Sequence, residues 1–315
     1  MRQDSTGRPE FAPDRQIDHR WRRPAGIPPA TLKRNDSQRP QRWLPTPTHA
    51  VFLHLNTLWS GTVHVLRGPA RDAVENMAID EALLRTAADT GRTFLRLYTW
   101  SRPAVSFGRN QRCAGVYTAD SCRAQGVPAV RRLTGGRALL HGRELTYCVA
   151  APVSAAPTLR GGYDAINDLL LDALHRLGVP AERAAPVERS GSPGIAPCFE
   201  TPSAGELVVA GRKLVGSAQH RDAGAFLQHG SILLDDDQGM LQSIAVQPLP
   251  VVPPPATLRG CAGVTDADVM MDSIVGTLRA VATGDIVTMC DADLPQAHVR
   301  DALDRYRDPA WTWRR

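Results

Sequence analysis

No stretch of this 315-residue chain approaches the roughly 18 consecutive apolar residues that a membrane-spanning helix needs. Nor does the N-terminus carry the apolar run of a secretion signal, so a membrane partner is not expected and the cytoplasm is the expected compartment. Six cysteines (113, 122, 148, 198, 261 and 290) show no C-x-x-C and no regular spacing. In a chain of this size that pattern argues for reduced thiols rather than a disulfide framework, and against a structural zinc site. The signatures of a P-loop, a dinucleotide-binding turn, a H-E-x-x-H metal helix and a G-x-S-x-G nucleophile elbow are all missing. No metal is expected. Aromatic residues make up only 5% of the chain, so the core must be built from aliphatic side chains.

Lysine is the scarcest charged residue: only Lys33 and Lys213 occur, against 35 arginines among 37 basic residues. Arginine evidently serves wherever a surface cation is wanted. A compact ammonium can approach a carbonyl oxygen as a point charge and can lose its proton when desolvated, whereas a guanidinium does neither readily. Lys213 is therefore a candidate functional group. The net charge of +5 points at first to nucleic acid, yet residues 1–50 carry ten Lys/Arg and five Asp/Glu, which accounts for all of it. The remaining chain is neutral, and no nucleic-acid partner is expected.

What is present divides the chain in two. Residues 1–55 are Arg- and Pro-rich without hydrophobic period and read as a disordered tail; 56–315 read as one catalytic domain. Within it, 73–88 and 163–177 have helical composition, the second with a clear apolar stripe ending at Gly178. Residues 93–100 and 104–107 look like adjacent strands, followed by strands at 127–132, 139–140 and 144–151 around a Gly-containing loop. Segments 206–210, 213–219 and 226–234 predict an antiparallel meander. A Pro-laden linker (248–255) leads to terminal helices over 256–315, the first with Thr265-x-x-Asp268 as a capping box. The fold class is α/β (α+β), a mixed, mostly antiparallel sheet flanked by helices.

Three segments carry chemistry. Arg131 and Arg132 precede Thr134-Gly135-Gly136-Arg137, with His141 four residues on; paired glycines let backbone amides approach a ligand, and the arginines suit an anionic or polar head group. Lys213 opens a strand that continues Gly216-Ser217-Ala218, and Gln228-His229-Gly230 precedes a buried strand. Taken singly, a Gly-Gly pair is usually a turn and a lysine usually a surface cation.

Together and in this order, these segments resemble the lipoate-protein ligase and octanoyltransferase catalytic domain, related to biotin protein ligases. The resemblance runs from about Trp59 to the C-terminus and includes Asn76–Leu84, Arg96-Leu97-Tyr98 and Ser106–Gln111. It is closest to the cysteine-dependent octanoyltransferase branch. Thr-Gly-Gly-Arg-Ala with Glu144-Leu-Thr-Tyr147 looks like that branch, as does Pro197-Cys198-Phe199-Glu200 standing fifteen residues before Lys213.

The resemblance implies transfer of an octanoyl group from octanoyl-acyl carrier protein to a lysine of a lipoyl-domain protein, such as glycine cleavage H protein or a 2-oxoacid dehydrogenase subunit. Cys198 would carry the acyl group as a thioester, Lys213 would polarise the carbonyl, and His141 would move or orient a proton. The other five cysteines keep the ordinary reading of small buried hydrophobes. The tail would lie in an apolar slot between the Gly-rich loop and the meander. No cofactor is implied, since thioester to amide is downhill. ATP and Mg enter only if the chain is instead an ATP-dependent lipoate ligase. A third possibility is a non-catalytic protein that binds lipoyl domains.

Overall fold

The Asp72 carboxylate accepts a hydrogen bond from Glu75 N, Gly91 closes the far end in the left-handed conformation, and between them runs an 18-residue, largely buried helix. This computed structural model describes residues 57–185, 199, 205–222 and 224–314. In chain order the elements begin with β1 (Val63–Arg67), α1 (Ala73–Thr90), β2 (Thr93–Tyr98), β3 (Ala104–Phe107), α2 (Ala119–Ala124) and β4 (Ala129–Arg131). They continue with β5 (Leu139–His141), β6 (Glu144–Pro152), α3 (Leu159–Arg176), β7 (Glu182–Arg183), β8 (Leu207–Val209), β9 (Arg212–Asp222) and β10 (Ala225–Leu233). The last are α4 (Met240–Ile244), α5 (Leu258–Ala262), α6 (Ala267–Val281), β11 (Ile286–Met289), α7 (Gln296–Arg307) and α8 (Pro309–Thr312).

Eight strands form one sheet in the order β11-β1-β2-β6-β10-β9-β8-β7, and three form a second in the order β4-β3-β5. Pairing is parallel at β11–β1, β1–β2 and β3–β4 and antiparallel elsewhere. The mixed, mostly antiparallel character expected from the sequence is present. One face of the large sheet packs an aliphatic cluster against α3 and α6, and the other packs against α1 and α7. At about 25 cal/mol per Å² of apolar surface, these two layers supply the main driving force of folding.

Several sequence expectations change in detail. Strands β2 and β3 follow one another in the chain but belong to different sheets, because Arg102-Pro103 breaks the run and turns it out of the large sheet. Terminal residues 256–315 are not only helices: β11 lies among them and extends the large sheet beside β1. Its half-exposed tetrapeptide is too short to display a strand period. Helix α6 is capped by Asp266, whose side chain accepts from Asp268 N, not by Thr265. Gly178, at φ +75, follows α3 as expected. Among the other cysteines, 113, 122 and 148 are buried, but Cys261 is half-buried and Cys290 exposed. No helix among the described residues is long and apolar enough to cross a membrane.

Candidate active site between the glycine-rich turn and the meander

Strand geometry settles which polar residues can meet. Successive side chains on a strand point to opposite faces, so Gln228 and His229 cannot serve the same cavity. Gln228 Nε2 donates to Tyr147 Oη at 2.9 Å, and Tyr147 Oη pairs with Ser217 Oγ at 2.6 Å. This network lies on the α3 side, where Gln228 also approaches Asn167. His229 points the other way, toward α1 and the Gly-rich turn. The candidate binding residues therefore split: Ser217, Gln228 and Gly230 belong to the α3 face, and Gly216, Ala218 and His229 to the turn face.

Ala210 and Gly211, at φ +49 and +73, make the tight turn from β8 to β9 and place Lys213 at the start of a long strand. A register shift at Leu207/Val208 accompanies it. Lys213 is only 3% exposed; its ammonium donates to Glu206 Oε1 at 2.8 Å and stands 5.1 Å from the Phe199 ring centroid. Gly216 is necessary to this packing. A Cβ there would come within 3.1 Å of Lys213 Cε and 3.3 Å of Phe199 Cζ. Glu206 is a residue the sequence did not single out; the signal was an acid adjoining an apolar strand opposite the lone lysine. Cys198, the candidate nucleophile, lies outside the described residues.

The turn from β4 to β5 carries Thr134-Gly135-Gly136-Arg137. Both glycines are exposed, and nothing lies within 4 Å of where a Cβ of Gly135 would stand. Gly136, at φ +94, passes so close to Gly108 that a Cβ on Gly108 would fall 2.0 Å from Gly136 O. Arg109 N donates to Thr134 O at 2.8 Å, locking the turn to the end of β3.

The two arginines before the turn are structural in this geometry. Arg131 is fully buried and donates to the carbonyls of Thr312, Gly108 and Gln111 and to Cys113 Sγ, tying β4 and the loop after β3 to the C-terminal α8. Arg132 donates to Ser106 O and Oγ and to the carbonyls of Gly135 and Arg137. Their guanidiniums shape the turn from beneath.

Two histidines lie under the same turn. His141 Nδ1 is 2.7 Å from Glu144 Oε1 and its Nε2 2.7 Å from Ser106 Oγ, with the ring stacked 3.9 Å from Trp100. Glu144 also accepts from Thr146 Oγ1 at 2.6 Å and from Ser231 Oγ. His229 Nδ1 is 3.0 Å from Asp80 Oδ2 and its Nε2 2.7 Å from Thr134 Oγ1. Asp80 accepts further from Arg96 Nη1 at 2.7 Å and Tyr98 Oη at 2.9 Å. Burial opposes the Asp80 carboxylate, but the His229 hydrogen bond and the Arg96 charge more than offset it, so its pKa is lowered. Burial holds His229 below the ordinary histidine value, with Asp80 only partly compensating. Ser106, Asp80 and Glu144 had no individual role in the sequence reading. Their signal is a polar residue recurring inside otherwise apolar elements.

Among the described residues, no group of three or more His, Cys, Asp or Glu side chains is placed to hold a metal ion. A cleft of about 360 Å³ opens beside the turn, lined by Leu133, Arg109 and His220 with Glu81 and Arg85 of α1.

Comparison with known proteins adds to this geometry. The profile of the family described as the lipoyl protein ligase A/B catalytic domain matches residues 72–257. Octanoyltransferase LipM of Exiguobacterium sp. is 43% identical over 189 residues, covering 57% of this chain and 68% of the relative. The LipM of Kyrpidia tusciae is 44% identical over 182 residues, 55% of this chain and 66% of the relative. Thus the chain spans about two thirds of the length of these relatives. Among solved structures, lipoate-protein ligase A bound with ATP superposes with a TM-score of 0.65 at 21% identity, over 81% of this chain and 98% of the other. The bi-partite lipoate protein ligase of Thermoplasma acidophilum gives a TM-score of 0.63 at 20% identity, over 81% and 96%. At such identities the likeness concerns the fold alone.

Proposed function

The chain belongs to the lipoyl protein ligase A/B catalytic domain family, and on that premise we propose that it is an octanoyltransferase of protein lipoylation. The observation that carries this reading is the 43% identity to an octanoyltransferase over a stretch longer than half the chain. Residues 72–257, matched by the family, include both Cys198 and Lys213.

The donor is the octanoyl thioester of acyl carrier protein. The Cys198 thiolate attacks the thioester carbonyl carbon, a new C–S bond forms, and the carrier thiolate leaves and takes up a proton. The amine of a lipoyl-domain lysine then attacks the enzyme thioester, loses its proton, and expels the Cys198 thiolate as the amide forms. Thiolate suits both roles because it is a strong nucleophile and a good leaving group. Lys213 faces the oxyanion of each tetrahedral intermediate as a point charge, and a positive charge of this kind favours a thiolate over a thiol. Two features of the structure support this role: the ammonium is buried, where charge acts through little screening, and Phe199, the chain neighbour of Cys198, rests against it. The exposed Gly135-Gly136 backbone offers amides to the acyl head group. Six methylenes at ~0.8 kcal/mol each would contribute about 5 kcal/mol, enough to select chain length. Neither ATP nor a metal enters.

The test is an intact-mass measurement after incubation with octanoyl-acyl carrier protein in the absence of ATP. The expected result is an octanoyl adduct, sensitive to hydroxylamine, that disappears in Cys198→Ser. Transfer only with ATP and free lipoate would replace the reading with a ligase. Binding of lipoyl domains without turnover under either condition would replace it with a non-catalytic binder.

A further inference from the structure

The turn Thr134–Arg137 exposes its two glycines, so its own chain does little to hold one conformation. Yet it is held from below by two hydrogen-bond chains of the same form. One runs Thr134–His229–Asp80 and reaches α1; the other runs Arg132–Ser106–His141–Glu144 and reaches β6.

In both chains the carboxylate fixes the tautomer. Asp80 and Glu144 accept only, so each histidine carries its proton on Nδ1. In the second chain, Arg132 Nη1 donates to Ser106 Oγ at 2.8 Å, and with Nδ1 carrying the ring proton the serine hydroxyl is free to donate onward to His141 Nε2. In the first, Thr134 can donate to His229 only while Nε2 keeps its lone pair. We propose that His229 and His141 are positioning residues for acyl transfer. Each imidazole bonds its carboxylate at Nδ1 and a hydroxyl at Nε2 and so holds the Thr134–Arg137 turn against the large sheet, His229 doing so in its neutral form. The inference rests on the octanoyltransferase reading only for the step it serves; the hydrogen-bond assignment stands apart from it.

The surroundings of His229 agree with the neutral form. Asp80 stands on α1, Arg96 and Tyr98 on β2, Cys148 across the ladder on β6, His220 on β9, and Arg132 and His141 beneath the turn. Burial and the Arg132 charge disfavour a proton on Nε2, against the single opposing carboxylate of Asp80. Protonation would remove the acceptor at Nε2, so the bond to Thr134 would have to reverse, with Nε2–H donating to Oγ1 and the hydroxyl proton turned elsewhere.

The experiment uses the full chain and two variants, Thr134→Val and Thr134→Ser, with His229→Gln as a third. Imidazole ¹⁵N NMR at neutral pH is expected to show Nδ1–H tautomers for both histidines. In Thr134→Val the His229 Nε2 signal and the Gly135 and Gly136 amides should shift, and in Thr134→Ser they should return. In the transfer assay, Thr134→Val should lower kcat by about 100-fold, the scale of an ångström-sized misplacement, with KM for the donor changed less than about three-fold. Thr134→Ser should recover most of that rate. Adding His229→Gln to Thr134→Val should cost little more, since both act through one bond. An Nε2–H tautomer at either histidine, or a doubly protonated His229, at neutral pH would overturn the assignment, as would unchanged Gly135 and Gly136 amides in Thr134→Val. If the wild-type chain transfers no octanoyl group, the reaction is wrong and the NMR result alone decides the positioning.

Discussion

Lys213 donates to Glu206 Oε1 at 2.8 Å, with side chains only 2% and 5% exposed. Removing one member leaves the other buried without its counter-charge, at a cost of about 3–5 kcal/mol. Lys213→Met and Glu206→Gln should each lower stability on that scale in urea denaturation, and the double variant should lose well under the sum of the two losses. Additive losses would show that the two groups are not coupled.

Lys213→Arg keeps the charge and should keep the fold, but a planar guanidinium cannot take the ammonium's position against Gly216 and Phe199. Transfer from octanoyl-acyl carrier protein should fall by about 100-fold or more. Near-normal rates would remove the argument from lysine scarcity. Gly216→Ala tests the same packing from the other side: a Cβ at 3.1 Å from Lys213 Cε and 3.3 Å from Phe199 should slow transfer at a stability cost of about 1 kcal/mol.

Gly108→Ala and Gly135→Ala should behave in opposite ways although both touch the same turn. A Cβ on Gly108 would fall 2.0 Å from Gly136 O, while a Cβ on Gly135 meets nothing within 4 Å. The first should lower stability by about 1–3 kcal/mol and displace the turn. The second should stay within about 0.5 kcal/mol of wild type. Thermal unfolding measures both, and a well-tolerated Gly108→Ala would contradict the close approach.

Stability should decline as pH falls below about 6.5. His229 has a folded pKa below its ordinary 6.5, so between the two values the unfolded chain binds the additional proton, and acid favours unfolding. The Asp80 contribution runs the same way at lower pH. Its folded pKa is below 3.8, so its stabilisation is present above 3.8 and is lost as pH falls through the folded value. His229→Gln should flatten the first part of the decline and also shrink the second, since the His229 hydrogen bond is part of what lowers the Asp80 carboxyl. A slope just below pH 6.5 unchanged in that variant would show that His229 does not titrate as inferred.

Periodicity and composition carried the long elements well. The apolar stripe of α3, the three-strand meander and the place of Gly178 are local features, written in successive residues. The short parallel edge strand β11 and the split between β2 and β3 were not legible, because partner choice in a sheet depends on chain segments far apart in sequence. Within the candidate site, Lys213 stood out by its rarity, whereas Glu206, Ser106 and Asp80 did not, since each acquires meaning only from the residue it faces.

By itself the sequence determined which chemistry the chain has to offer: one lysine in a neutral domain, a Gly-Gly turn between strands, two histidines and a cysteine in a Pro-rich stretch, in the order of a known family. Only the tertiary structure decided how the described groups are distributed. It turned Gln228 and His229 to opposite faces of one strand, spent Arg131 on buried carbonyls, and placed a carboxylate behind each histidine. The physical reason is that strand alternation and burial act on side-chain direction and solvation, and neither is fixed until distant segments pack.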